Sequence, residues 1–251
     1  MTDSADDWNA HWDKYAAAAS ENPAQRMRHR TIVRWLERSG GGAPRVFDIG
    51  CGQGDLLAKI SGALPRAELL GVELSVRGVE IARSKVAKGT LVVADLLRAP
   101  AELAKFTGWA THAVCSEVLE HLDDPAAFLR AARVYLQPGA RLLVTVPGGP
   151  MSAFDRHIGH RRHFDRPSVR EVMEAGGFDV ERVRGAGFPF FNLYRMLVIA
   201  RGRKLAQDVE GEHGASSAVA KLAMRVFGVL FRLNLPDSSL GWQIVAIGRT
   251  R

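Results

Sequence analysis

Short apolar runs alternate with amphipathic helical stretches through much of this 251-residue chain, and that rhythm limits what it can fold into more than any other feature. "RVFDIG", "AELLGVEL", "GTLVVADL", "THAVCSEVL" and "RLLVTVP" read as buried strands. Between them, "GDLLAKISGAL", "VRGVEIARSKVA" and "PAAFLRAARVYL" place apolar residues at helical spacing. Strands that are apolar on both faces and separated by helices predict an α/β domain with a largely parallel sheet covered on both sides. In such sheets ligands bind beyond the carboxyl ends of the strands. A helix is predicted ahead of the first strand, in "NPAQRMRHRTIVRWLERSG", where Met27, Ile32, Val33 and Leu36 line up and Gly40–Gly42 stop it. Toward the end, "PSVREVMEAGGFDVERVRG" reads as helix, glycine stop and strand, and "GWQIVAIGRTR" as a final strand. About fifty residues separate these last two strands. They hold two helical stretches, "FPFFNLYRMLVIARGRKL" and "SSAVAKLAMRVFGVLFRLNL", joined by an "EGEHGASS" link expected to be mobile.

The loop after the first strand, "VFDIGCGQGDLL", carries Gly50, Gly52 and Gly54. A dinucleotide fingerprint would have a third glycine where Asp55 stands, and no Lys-Ser or Lys-Thr pair follows to grip a phosphate. Glycines at alternate positions still permit positive φ and close approach of a ligand to the main chain. Asp48, two residues before the first glycine, points to a cationic ligand. Glu73, at the end of "LLGVEL", is placed to accept both hydrogen bonds of a ribose diol, and Asp95 in "VVADL" to accept from an exocyclic amine. Together they describe a nucleoside that carries a cationic, amino-acid-like group in place of phosphate.

These residues, in this order, resemble a class I S-adenosylmethionine-dependent methyltransferase. "VFDIGCGQGD" resembles that family's glycine loop, "GVELS" its ribose acid, "VVADL" its adenine-side motif and "CSEVLEHLDDP" its fourth-strand signature, over about residues 25–185. The resemblance implies a Rossmann-like, doubly wound, seven-stranded and mostly parallel sheet, with an N-terminal helix and a helical insertion before the last strand. It implies S-adenosyl-L-methionine as cofactor. Asp48 and the backbone of Gly50, Cys51, Gly52 and Gly54 would hold the methionine end, Glu73 and Leu74 the ribose, and Asp95 and Leu96 the adenine, with Ser116 lining the same cleft. The domain division that follows is a core over 1–187, an insertion forming an acceptor lid over 188–236, and the core's final strand over 237–251.

Three readings of "SEVLEHLDD" stand side by side. Asp123 and Asp124 can cap a helix beginning at Pro125, with His121 packed locally. His121 can be a general base, because imidazole titrates near neutral pH. Finally, Glu117, Glu120 and His121 share one face of a helical turn, and E-x-x-E-H resembles the metal site of small-RNA 2′-O-methyltransferases and some ubiquinone-biosynthesis O-methyltransferases. Mg²⁺ favours the carboxylates but seldom a histidine, and the expectation is that no metal is needed. The segment "DRHIGHRRHFDR" carries His157, His160 and His163 among arginines, in a spacing that suits no zinc signature. Related methyltransferases often have G-H-x-R-R-aromatic over the acceptor pocket, and "GHRRHF" departs from that pattern where His163 precedes Phe164. His121 and His160 are the candidate catalytic bases.

The net charge of +7 lies almost wholly in residues 151–251, which suits either dispersed surface arginines or an anionic partner. Leu222, Val226, Val229, Leu230 and Leu233 form an apolar stripe flanked by Lys221, Arg225 and Arg232. It is expected to pack on the domain, with contact to a membrane surface as the alternative. "FPFFNLY" offers aromatics for a flat or greasy acceptor. Cys51 and Cys115 read as reduced core thiols, and the acidic opening "MTDSADDWNA" with no long apolar segment predicts a cytoplasmic protein. The favoured activity is methyl transfer to a small-molecule hydroxyl, the acceptor being anionic or aromatic. A methyltransferase acting on RNA is less favoured, since no stacking platform accompanies the arginines, and a non-catalytic cofactor-binding protein is the third reading. The oligomeric state is left open.

Overall fold

The computed structural model describes residues 7–39, 42–210 and 218–251. Seven strands form one sheet: β1 (Arg45–Ile49), β2 (Glu68–Glu73), β3 (Thr90–Val93), β4 (Ala110–Ser116), β5 (Leu136–Pro147), β6 (Phe178–Ala186) and β7 (Gln243–Thr250). Their order is β3-β2-β1-β4-β5-β7-β6. The first five are parallel, and β7 runs antiparallel between β5 and β6. The winding direction reverses between β1 and β4, which opens a crevice at their carboxyl ends.

The strand periodicity explains the layers. On β1, Phe47 and Ile49 join a core with Leu129, Met173 and Phe178, while Val46 joins the opposite core with Ile32, Leu36, Leu57 and Ile60. The first core lies under α5 (Pro125–Arg133) and α7 (Arg166–Ala175), the second under α2 (Pro23–Arg38) and α3 (Asp55–Ala63). The start of α5 is as expected: Asp124 accepts from the Ala127 amide, with Pro125 in the first turn. Asn22 caps α2 in the same way, ahead of Pro23.

Two features depart from expectation. A further N-terminal helix whose place was not predicted, α1 (Trp8–Glu21), precedes α2 and lies against α4 (Val76–Lys85). The insertion does form two helices, α8 (Phe190–Glu210), broken at Gly202, and α9 (Ala218–Leu230). It packs through aromatic residues, not through the expected stripe. Phe191, Tyr194, Phe227 and Phe231 meet edge-on or tilted at 5.4–5.9 Å and close over Ala24 and Met27 of α2. Leu222, Val226, Val229 and Leu233 therefore face outward, each about half exposed or more. Large aromatic rings bury more apolar area than aliphatic side chains, so they decide which face of α9 turns inward. Phe191 and Tyr194, expected among the pocket aromatics, thus belong to packing. Residues 1–6, Gly40, Gly41 and the stretch 211–217 of the expected mobile link lie outside the described residues. Among the described residues no helix is long and apolar enough to cross a membrane.

Candidate active site

The crevice between β1 and β4 has a cofactor side and a histidine side. On the cofactor side, Gly50, Gly52 and Gly54 all adopt positive φ, where a side chain would be strained. Space forbids side chains as well. A Cβ on Gly50 would stand 2.6 Å from Val118, one on Gly52 2.5 Å from the Trp12 ring, and one on Gly54 2.8 Å from Ala82.

The amides of this loop are directed inward. Gly50 and Cys51 both donate to the Val72 carbonyl, and Gly54 donates to the Cys51 carbonyl. Gly52 donates to Glu73 Oε2 at 2.9 Å. A phosphate loop would turn such amides toward its ligand, whereas this one spends them on its own fold. What faces the crevice is Asp48, 2 % exposed, whose Oδ2 has no hydrogen-bond partner. Burial, reinforced by the charge of nearby Glu73, pushes its pKa up to about 7. An orphaned carboxylate with that penalty suits a cationic ligand, which would restore its charged form.

Glu73 has a second function besides that of a prospective ribose acid. Its two oxygens accept from the Gly52 and Ser75 amides, clamping the glycine loop to the turn that starts α4. Each oxygen keeps a lone pair for a diol. Asp95 caps the turn after β3 through the Leu97 amide, and Leu96 turns its side chain into the core, so only its backbone can face a ligand. Leu74 is exposed beside Glu73, and Cys51 is packed within 3 Å of where a Gly71 side chain would begin. Ser116, at the end of β4, hydrogen-bonds Thr145 at 2.8 Å. Asp55, where a dinucleotide loop has glycine, takes Lys85 at 2.7 Å, Gln53 and Ser20 at 2.8 Å. It fastens α1 and α4 to the loop.

Helix α1 roofs the cleft. Asn9 Oδ1 accepts from Ser75 Oγ and the Arg77 amide, Gln53 donates to the Ala16 carbonyl, and Trp12 lies over Gly52 and Gly78. Trp8 reaches the histidine side and meets His121 edge-on at 4.8 Å. Sequence reasoning missed this helix, although Trp8, Trp12 and Tyr15 at i, i+4 and i+7 were a helical signal.

On the histidine side the E-x-x-E-H triplet separates. Glu117 stands in the left-handed region at the end of β4. It accepts from Thr145 at 3.1 Å and Gln243 at 3.0 Å, with Arg28 3.5 Å away. Glu120 and His121, on the next turn, join His160 instead, with ligating atoms within 4.8 Å of one another. Glu120 is fully buried and neither of its carboxylate oxygens has a partner; His121 Nδ1 has none either. Burial, then the neighbouring Glu117 charge, raises Glu120 well above the usual carboxylate range. Burial lowers His121 to about 4 and His160, aided by His121, to about 2. This corrects the argument from neutral-pH titration: both imidazoles are neutral and weakly basic, with lone pairs to offer. His157 lies apart, next to the Tyr15 hydroxyl.

A Rossmann-like sheet with a phosphate-averse glycine loop, an orphan acid and a ribose clamp defines a binding fold for a cationic nucleoside. The particular family follows from the chain itself: residues 24–183 match the model of the methyltransferase domain, and the protein belongs to that family. It is an S-adenosylmethionine-dependent methyltransferase, as the sequence motifs implied. Among curated relatives, it is 26 % identical over 185 residues to the ubiquinone biosynthesis O-methyltransferase of Acinetobacter baylyi, spanning 66 % of this chain and 75 % of that one. Its fold is similar to that of phosphoethanolamine N-methyltransferase 2 of Haemonchus contortus, with a TM-score of 0.61 at 18 % identity over 100 % of this chain and 61 % of the other. It is also similar to the [4+2]-cyclase SpnF, with a TM-score of 0.59 at 20 % identity over 89 % and 80 %.

Proposed function

We propose that the protein transfers the methyl group of S-adenosylmethionine to a hydroxyl oxygen of a small, partly aromatic acceptor. The observation that carries this reading is the convergence of Glu120, His121 and His160 beside the cofactor loop, with both Glu120 oxygens and His121 Nδ1 lacking a hydrogen-bond partner. A hydroxyl supplies the missing donor, and drawing off its proton makes the oxygen nucleophilic. An ammonium acceptor would be held by the same atoms but would first have to lose its proton.

Bound S-adenosylmethionine supplies an electrophilic methyl on a sulfonium. Asp48 would hold the cationic end, Glu73 the ribose and Asp95 the adenine edge. His160 and Glu120 would orient the acceptor hydroxyl toward that methyl, with α1 excluding water. Such alignment accounts for much of the rate in an in-line displacement. The acceptor body lies toward the insertion, in a groove of about 500 Å³ lined by Phe188, Phe190, Leu193, Met196 and Trp242. Trp242 packs directly on Gly149, and the Gly149 carbonyl bonds His163, so groove and histidines adjoin. Relatives named as ubiquinone biosynthesis O-methyltransferases accord with transfer to oxygen.

A second reading is favoured by the same orphan atoms: one carboxylate and two neutral imidazoles form a donor set for a borderline divalent cation such as Zn²⁺, Mn²⁺ or Fe²⁺. Glu120, His121 and His160 would hold it, and it would lower the pKa of a bound hydroxyl. RNA is disfavoured because many tail arginines are already paired, Arg166 and Arg182 with Asp237, Arg249 with Glu181, and Arg251 with Asp179.

The test is transfer of labelled methyl from S-adenosylmethionine to a panel of catechols, phenols and amines, with and without exhaustive chelation. Turnover of phenolic acceptors supports oxygen transfer, and transfer to amines alone refutes it. Loss of activity on chelation, restored by Mn²⁺ or Zn²⁺, selects the metal-assisted form.

A further inference from the structure

His163 follows His160 by three residues in the loop after β5, and its surroundings give it a directional hydrogen-bonding role. Its Nδ1 lies 2.9 Å from the Gly149 carbonyl oxygen. A carbonyl only accepts, so Nδ1 carries the proton. The other ring atom, Nε2, lies 3.3 Å from His160 Nδ1. The remaining polar neighbour of Nε2 is Asp155, at 3.7 Å, and that distance is too long for a hydrogen bond. Asp155 is also fully engaged: Arg195 donates to both of its oxygens at 2.9 and 2.6 Å, and the Ser152 amide donates to it at 2.7 Å. With no free acceptor within reach among the described residues, His163 Nε2 keeps its lone pair and accepts from His160 Nδ1.

We propose that His163 is a positioning residue that fixes His160 in the tautomer protonated at Nδ1, so that the Nε2 lone pair faces Glu120. The chain of bonds runs from His160 through His163 to the Gly149 backbone. His160 Nε2 stands 4.0 Å from Glu120 Oε1, on the side of the orphaned acceptor atoms. In the opposite tautomer an N–H would point toward Glu120, and His160 would have no lone pair on that side to offer a hydroxyl or a cation. Holding the outer nitrogen of a working imidazole is how proteins select which nitrogen works. The inference rests on His160 acting in methyl transfer only for its consequence, not for its geometry.

The experiment reads the tautomer directly, by nitrogen-15 imidazole chemical shifts in the full-length protein labelled at histidine, at neutral pH without cofactor. The wild type is expected to show His160 protonated at Nδ1 and bare at Nε2. The reverse pattern overturns the proposal, whatever the variants do. His163→Gln offers an amide N–H for Gly149 and a carbonyl oxygen for His160, and is expected to keep the wild-type pattern. His163→Phe, which keeps an aromatic ring without either group, is expected to give mixed tautomers. A pure Nδ1-protonated signal in His163→Phe overturns the proposal. Titration with Co²⁺ alone adds a readout: weaker binding, by about tenfold or more, is expected for His163→Phe and not for His163→Gln, following the usual effect of outer partners on ligating histidines. Equal affinity in both counts against it. Loss of transfer in His160→Ala tests the functional reading separately, since a wild-type tautomer with an inconsequential His160 would sink that reading alone.

Discussion

The two sides of the crevice are built by different means. On the cofactor side, Gly50, Cys51, Gly52 and Gly54 donate their amides within the loop or to the end of neighbouring β2, and the buried atoms left without a partner are single ones, Asp48 Oδ2, Gln53 Oε1 and Trp12 Nε1. On the histidine side, Glu120, His121 and His160 come from two loops separated by β5, and Glu120 has both oxygens unsatisfied. The first side is self-sufficient and waits for one cation. The second concentrates several desolvated acceptors, a cost to the fold that only a ligand can relieve. Function is therefore expected to oppose stability more strongly on the histidine side.

The largest effect expected is on the insertion that borders the histidine side. Phe191, 3 % exposed and packed on Phe231, is a core residue, so Phe191→Ala should cost about 3 kcal/mol of stability in denaturant melts. Phe190→Ala, in the groove, should leave the melt nearly unchanged and raise KM for the acceptor. If Phe191→Ala melts like the wild type, the insertion is not held by its aromatic cluster and the groove is not a rigid wall.

Next comes Glu120→Gln, which keeps the shape and removes a buried carboxylate without partners. Turnover should fall about 100-fold or more, while the melting temperature without ligands rises and cofactor affinity by calorimetry is unchanged. A falling melting temperature would mean that Glu120 is structurally paired. The matching change across the crevice, Asp48→Asn, should weaken S-adenosylmethionine binding by about 2 kcal/mol through a lost charged hydrogen bond, and should also stabilise the ligand-free protein above pH 7. Equal affinity in a folded Asp48→Asn removes it from the cofactor site.

This contrast also explains what could be read from the sequence. The cofactor side is local: the glycine spacing, Asp48, Glu73 and Asp95 follow one another along successive strand ends, so strand periodicity and motif order were enough to propose them. The Asp124 cap was legible for the same reason. The histidine side is assembled across the fold, and spacing misled: Glu117, one turn from Glu120, is turned away by its left-handed backbone to meet Arg28 and Gln243, residues far off in sequence. Neither the His160–His163 pair nor its Gly149 anchor could be inferred without the close return of the loop after β5. The stripe on α9 failed through competition, since Phe227 on that helix and Phe231 in the turn that follows it had more surface to bury.

The smallest effect expected decides whether the depressed histidines of the site mean anything beyond burial. His29, on α2 far from the crevice's acceptor atoms, is 5 % exposed and receives Lys59 Nζ at 2.9 Å on its Nδ1. Burial first, then Lys59 and Arg28, lowers its pKa to about 2. It is neutral in the folded protein at any ordinary pH, whereas in the unfolded chain it takes up a proton below about 6.5. The unfolded state then binds more protons, so stability falls as pH drops below 6.5. The slope approaches about 1.4 kcal/mol per pH unit for one such group. His29→Gln keeps an acceptor for Lys59 and removes that titration, so denaturant melts between pH 6.5 and 4.5 should show a slope shallower by about that amount, with methyl transfer untouched. His121 and His160 should add their own acid sensitivity in the same window in the free protein. Only theirs should diminish when S-adenosylmethionine and acceptor are bound, if the acceptor donates to them. If ligands flatten the His29 contribution equally, the effect is general stabilisation and the histidine side loses its distinction from the core.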